Sequence, residues 1–180
     1  MSIKFRKFVR SHLALQYDYD PLAVLTAMPL IQRMPERREV ISAKPEAGVS
    51  ERANFTAARA DNYPGKGYDL ICFFDALHDM GDPVAVATHA AKALAPDGPV
   101  MLVEPFANDR VEDNISPVAR MYYAASTTIC CAHAISDGGQ LVLGAQAGEA
   151  RLADVFRKAG FIRFRRTFET PFNLVLEARL

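Results

Sequence analysis

The sequence predicts an α/β domain with a mainly parallel sheet that closes in an antiparallel pair. Three observations lead there. Tyr68–Phe74 (YDLICFF) and Val100–Val103 are apolar with little alternation, as expected of strands covered on both faces. One helix-forming segment separates them, which makes a βαβ unit with a right-handed crossover. Phe161–Phe168 and Phe172–Ala178 then flank Glu169-Thr170-Pro171, a break short enough for a hairpin.

In chain order, residues 1–42 differ in texture from the rest. Ile3, Phe5, Phe8, Val9 and Leu13 fit one face of a basic amphipathic helix, and Asp20-Pro21 is a helix-start pair. This segment is taken as a divergent helical part, with an α/β domain over 43–180. Strands are expected near 54–59, 68–74, 100–104, 161–168 and 172–178. Asp82-Pro83 opens a helix carrying Val84, Ala87, Ala91 and Leu94, and Pro96-Asp97-Gly98 ends it. A further helix is expected over Pro117–Thr128, then a glycine loop at Asp137-Gly138-Gly139. The last, Glu149–Ala159, is amphipathic through Leu152, Val155 and Phe156, with Gly160 as its C-terminal cap.

The 180 residues suffice for one sizeable core. Lys plus Arg number 21 and Asp plus Glu 21, so nothing global attracts nucleic acid or anionic lipid. A small-molecule partner is the better expectation. Cys72, Cys130 and Cys131 lie in apolar runs without CxxC spacing and read as reduced thiols. No apolar stretch reaches the roughly 20 residues that span a bilayer, and no signal-peptide pattern follows the basic start. A cytoplasmic location is expected.

Tyr68–Phe106 (YDLICFFDALHDMGDPVAVATHAAKALAPDGPVMLVEPF) resembles the fourth strand, following helix and fifth strand of class I S-adenosylmethionine-dependent methyltransferases. The shared features run in order: an aromatic-Asp strand start, Leu-His, Asp-Pro, a helix, a Pro-Asp-Gly turn and a strand ending in Glu-Pro. Ala47–Asp61 resembles the end of the second helix and the third strand, and Lys158–Phe161 (KAGF) the closing elements. The resemblance covers about Ala43 to Leu180. It implies a Rossmann-like three-layer fold that is N-terminally incomplete, with S-adenosylmethionine outside the carboxyl ends of the strands.

It also implies roles for particular residues. Asp61 would bind the adenine amino group, or else cap local backbone amides. Phe73, Phe74 and Asp75 would line the cofactor cavity, although the two phenylalanines also serve as plain core. His78, in Leu77-His78-Asp79, corresponds to the general base that removes a hydroxyl proton during O-methylation. Asp79 or Asp82 would orient its ring, or the histidine merely caps the loop. Glu104 and Asn108 follow the fifth strand, where substrate often lies. Met121, Tyr122 and Tyr123 fall on the helix that commonly roofs the acceptor pocket, as recognition or as packing.

The acidic-Gly-x-Gly-x-Gly loop after the family's first strand has no counterpart in these 180 residues. Pro64-Gly65-Lys66-Gly67 leads into a strand, whereas the cradle follows a strand and opens a helix. Binding of S-adenosylmethionine by this chain is therefore expected to be weak or absent. Two readings remain open: a methyltransferase acting on a small molecule, at oxygen, or a non-catalytic remnant or interaction subunit. Without a first strand, Tyr68–Phe74 would expose unpaired backbone groups. Either residues 1–42 or a second copy, in a homodimer, would cover them.

Overall fold

The computed structural model describes residues 58–180. The apolar run around Ile71 forms β1 (Ile71–Phe74), and VMLVEP forms β2 (Val100–Pro105). Two longer strands close the chain, β3 (Arg163–Glu169) and β4 (Asn173–Arg179). The sheet has four strands in the order β1-β2-β4-β3. β1 and β2 are parallel, with Phe73 opposite Leu102, and the other two pairings are antiparallel.

The expected strand at 68–74 begins later than its apolar pattern. Tyr68 makes only an isolated bridge to Leu94, and its hydroxyl donates to Pro64 O at 2.6 Å. Of the strand expected at 54–59, Ala58 and Arg59 lie in no strand, and the remainder falls outside the described residues. The helices expected within 1–42 also fall outside them.

Helix α1 (Pro83–Ala93) starts as its sequence dictates: Pro83 occupies the first turn and Asp82 accepts from Ala85 N–H at 2.8 Å. Helix α4 (Gly148–Lys158) is bipolar, with Leu152, Val155 and Phe156 buried. It ends at Gly160, whose φ of 97° suits a residue without Cβ. Together α1 and α4 cover the sheet face that carries Phe73, Val100, Leu102, Leu174 and Leu176, and Phe156 packs edge-on to Phe161 at 5.1 Å. This is the main core. On the other face Arg165 and Glu177 pair across β3 and β4, and Arg179 joins them.

The helix expected over Pro117–Thr128 continues well beyond that point. Helix α2 (Pro117–Ala125) runs into a π turn (Ser126–Cys130) and then into α3 (Cys131–Ser136). Thr127 and Thr128 do not stop it, because each hydroxyl donates to the carbonyl four residues back, at 2.9 Å and 2.8 Å. Tertiary contact then holds the continuation: Ser126 Oγ accepts from Ala145 N–H at 3.0 Å, and Ala134 is fully buried.

Candidate active site

β1 ends in a sharp turn. Asp75 takes φ 45°, a left-handed conformation that aspartate tolerates better than most residues. Its N–H still reaches Val103 O at 2.8 Å, so the turn leaves the sheet directly into a 3₁₀ turn, Leu77–Asp79. Beside it, at the same end of β2, stands Glu104. Glu104 lies on the core face of the sheet, opposite Leu174, and is 1% exposed.

A carboxylate buried in an apolar strand must find donors. Glu104 finds two. Leu77 N–H donates to Oε1 at 3.0 Å, and His78 Nδ1 pairs with Oε2. His78 is likewise 1% exposed. Its ring is thus fixed by a strand residue 26 positions away, rather than by Asp82, which caps α1.

The opposite nitrogen, Nε2, lies 3.2 Å from Asp79 Oδ1. The two are not aligned for a hydrogen bond, and neither atom has a hydrogen-bond partner among the described residues. Cys130 Sγ, on the π turn, completes a cluster with His78 and Asp79 in which one ligand atom from each lies within 4.8 Å of the others. Burial opposes an imidazolium here, but Asp79, Cys130 and Glu104 outweigh it and push His78 up to about 12. Gly144 closes the wall: its N–H donates to His78 O at 3.2 Å. With φ at 68°, a Cβ at Gly144 would lie 2.3 Å from Ser126 Oγ.

Three further residues converge outside this cluster. Asn173 Nδ2 donates to Asp75 Oδ1 at 3.1 Å, and Tyr122 OH donates to Phe172 O at 2.9 Å. Burial, then the charge of Asp75, pushes the Tyr122 phenol up to about 12. Asp75 keeps an exposed surface, but the crowding of its carboxyl and the charge of Glu104 hold it above the usual carboxylate range. The carboxyl end of β1 therefore gathers Asp75, His78, Tyr122 and the β3–β4 hairpin.

The other expected site residues are placed as follows. Phe73 and Phe74 point to opposite faces of the sheet: Phe73 is in the core, and Phe74 is 43% exposed. Asp61 accepts from Arg59 Nε at 3.0 Å and lines a shallow hollow with Asp82, Thr88 and Lys92 of the α1 region. Asn108 closes a loop, with its N–H donating to Asn114 Oδ1 at 2.8 Å and its side chain to Asp113 O at 2.9 Å. Met121 is half-buried on α2. Sequence reasoning overlooked Cys130, Asn173 and the orienting part played by Glu104. The signal for the last was available, because a lone carboxylate inside VMLVEP demands partners.

Against known proteins, a family model described as a methyltransferase domain matches residues 17–161. The chain belongs to that family. No curated protein matches it. Among solved structures it is similar to SibL, an S-adenosylmethionine-dependent methyltransferase, at 25% identity and a TM-score of 0.56, over 81% of this chain and 41% of that one. It resembles PigF, solved with SAH, at 21% identity and a TM-score of 0.59, over 76% and 38%. An O-methyltransferase family protein from Burkholderia thailandensis matches at 20% identity and a TM-score of 0.57, over 81% and 42%. The chain thus spans about two fifths of the length of these proteins. They support the mixed α/β methyltransferase fold expected from the sequence. Among the described residues no helix is long and apolar enough to cross a membrane.

Proposed function

We propose that this protein transfers the methyl group of S-adenosylmethionine to an oxygen of a small molecule, with His78 as general base. The observation that carries the reading is the Glu104–His78 pair. A carboxylate fixed to Nδ1 sets the ring's orientation and leaves Nε2 as the proton-accepting atom, the arrangement required of a base and its orienting group. S-adenosylmethionine would supply an electrophilic sulfonium methyl. The described residues fit its adenosine side: Phe74 offers an exposed ring face and Asp75 a carboxylate, side by side where open α/β sheets bind ligands. Tyr122 and Asn173 would wall the acceptor. A cytoplasmic location, and pairing of two copies along the outer edge of β1, belong to the same proposal. That edge has no strand partner among the described residues.

A second reading, a non-catalytic member of the fold, is favoured by one specific observation. Nε2 of His78 is buried against Asp79 and held in its protonated form. A substrate hydroxyl would have to displace that carboxylate and meet a ring that had lost its proton.

Calorimetric titration of the full chain with S-adenosylhomocysteine separates the two. Saturable binding, weakened by Asp75→Ala, is the result expected of the methyltransferase. No heat at millimolar ligand supports the second reading.

A further inference from the structure

The Nε2 side of His78 holds more than a misplaced carboxylate. We propose that His78, Asp79 and Cys130 form a binding site for a zinc-class divalent cation. The proposal stands on this geometry alone and does not depend on methyl transfer.

Three donor groups from two elements converge there: the 3₁₀ turn supplies His78 and Asp79, and the π turn supplies Cys130. Their ligand atoms lie within 4.8 Å of one another, and Nε2 to Oδ1 is 3.2 Å. Ligands about 2.0–2.3 Å from a tetrahedral zinc ion are themselves spaced by about 3.3–3.7 Å. Nε2 and Oδ1 already lie close to that spacing, and the whole trio falls within 4.8 Å, so binding would draw the three donors together.

Burial makes the convergence informative. His78 Nε2 and Asp79 Oδ1 are both buried without a hydrogen-bond partner among the described residues. The two groups meet as an ion pair without hydrogen-bond alignment. Proteins seldom leave buried polar atoms without such bonds, and a cation between them would bond both. The ring is prepared in the way metal-bound histidines are: its other nitrogen is held by a carboxylate, Glu104, which also accepts from Leu77 N–H. The π turn contributes as well. It carries Cys130 at its end, 2% exposed, and such single-turn widenings of a helix are frequent at functional sites.

The donor set selects the ion. One imidazole, one carboxylate and one thiolate suit zinc, and a thiolate excludes magnesium and calcium, which take oxygen ligands. A neutral ring, a carboxylate and a thiolate balance the two positive charges. The cation would displace the thiol proton and any proton on Nε2 to solvent, leaving a fourth position for water. Because Nε2 would then be a ligand, the bound ion would also remove His78 as a base.

The test uses the full chain stripped with chelator and titrated with Zn²⁺ and Co²⁺. One ion per chain is expected, with a thiolate-to-cobalt charge-transfer band. Cys130→Ser should abolish the band, and Asp79→Asn should weaken affinity about tenfold or more. Cys72→Ser and Cys131→Ser, carrying the other two thiols, should leave both readouts unchanged. Circular dichroism of each variant confirms that it has folded. No binding at micromolar metal, a band that survives Cys130→Ser in a folded chain, or a band lost only with Cys72 or Cys131 overturns the site.

Discussion

Removing the Glu104 carboxylate should be among the most damaging single changes to this fold. Glu104 is 1% exposed and spends both oxygens on donors that have no route to water. Glu104→Ala strands Leu77 N–H, and leaves His78 with one of its flanking carboxylates gone. Breaking a buried, hydrogen-bonded charge pair from one side costs about 3–5 kcal/mol. Glu104→Gln keeps the shape and one acceptor, but turns an NH₂ toward the other donor. Its cost should be smaller, about 1–3 kcal/mol, the penalty for one unmatched buried group. With a urea m-value of about 2 kcal/mol/M, the alanine variant should unfold about 2 M earlier than the parent. Urea titration followed by circular dichroism measures it, with the glutamine variant between the two. An alanine variant within about 0.5 kcal/mol of the parent would mean that the Glu104 contacts do not stabilise the fold, since that is the range of an ordinary surface change.

Two other positions carry measurable stability. Gly144→Ala should destabilise by about 1–2 kcal/mol for the left-handed backbone alone, and more because its Cβ would meet Ser126 Oγ at 2.3 Å; thermal unfolding no lower than the parent's contradicts this. Glu177 gives an acid dependence. Burial acts to raise its pKa, but Arg179 and Arg165 prevail and hold it below the usual 4.5. Its contribution is therefore fully present above the unfolded value and lost as pH falls through the lower folded one. The stability gap between the parent and Glu177→Gln should close at acid pH, and a gap that persists there would sink the assignment.

What the sequence made legible was whatever local pattern and burial determine together. VMLVEP reads as a covered strand because every residue of β2 is buried, and Asp82-Pro83 and Gly160 mark helix ends through chemistry confined to a few residues. The long α2–α3 run was hidden because Thr127 and Thr128 have middling helix propensity. What sustains the helix, the Ser126–Ala145 bond and the burial of Ala134, comes from elsewhere in the chain. The candidate site was half legible. His78 could be singled out from Leu77-His78-Asp79, but its partners lie 26 residues away in Glu104 and on a π turn that no periodicity announces. Glu104 was expected to face substrate. The carboxylate instead sits inside the fold, where its two donors need it.

The proposed role of His78 as the base in methyl transfer to oxygen is tested most directly by transfer itself. The full chain, given S-adenosylmethionine with a labelled methyl and a panel of small hydroxylated molecules, should label at least one acceptor on oxygen. His78→Ala should lower that rate about 10²-fold or more, with affinity for S-adenosylhomocysteine unchanged. Label transferred at the same rate by both proteins would reduce His78 to a structural residue. No transfer to any acceptor, from a chain that gives no heat with S-adenosylhomocysteine, would contradict the methyltransferase reading outright.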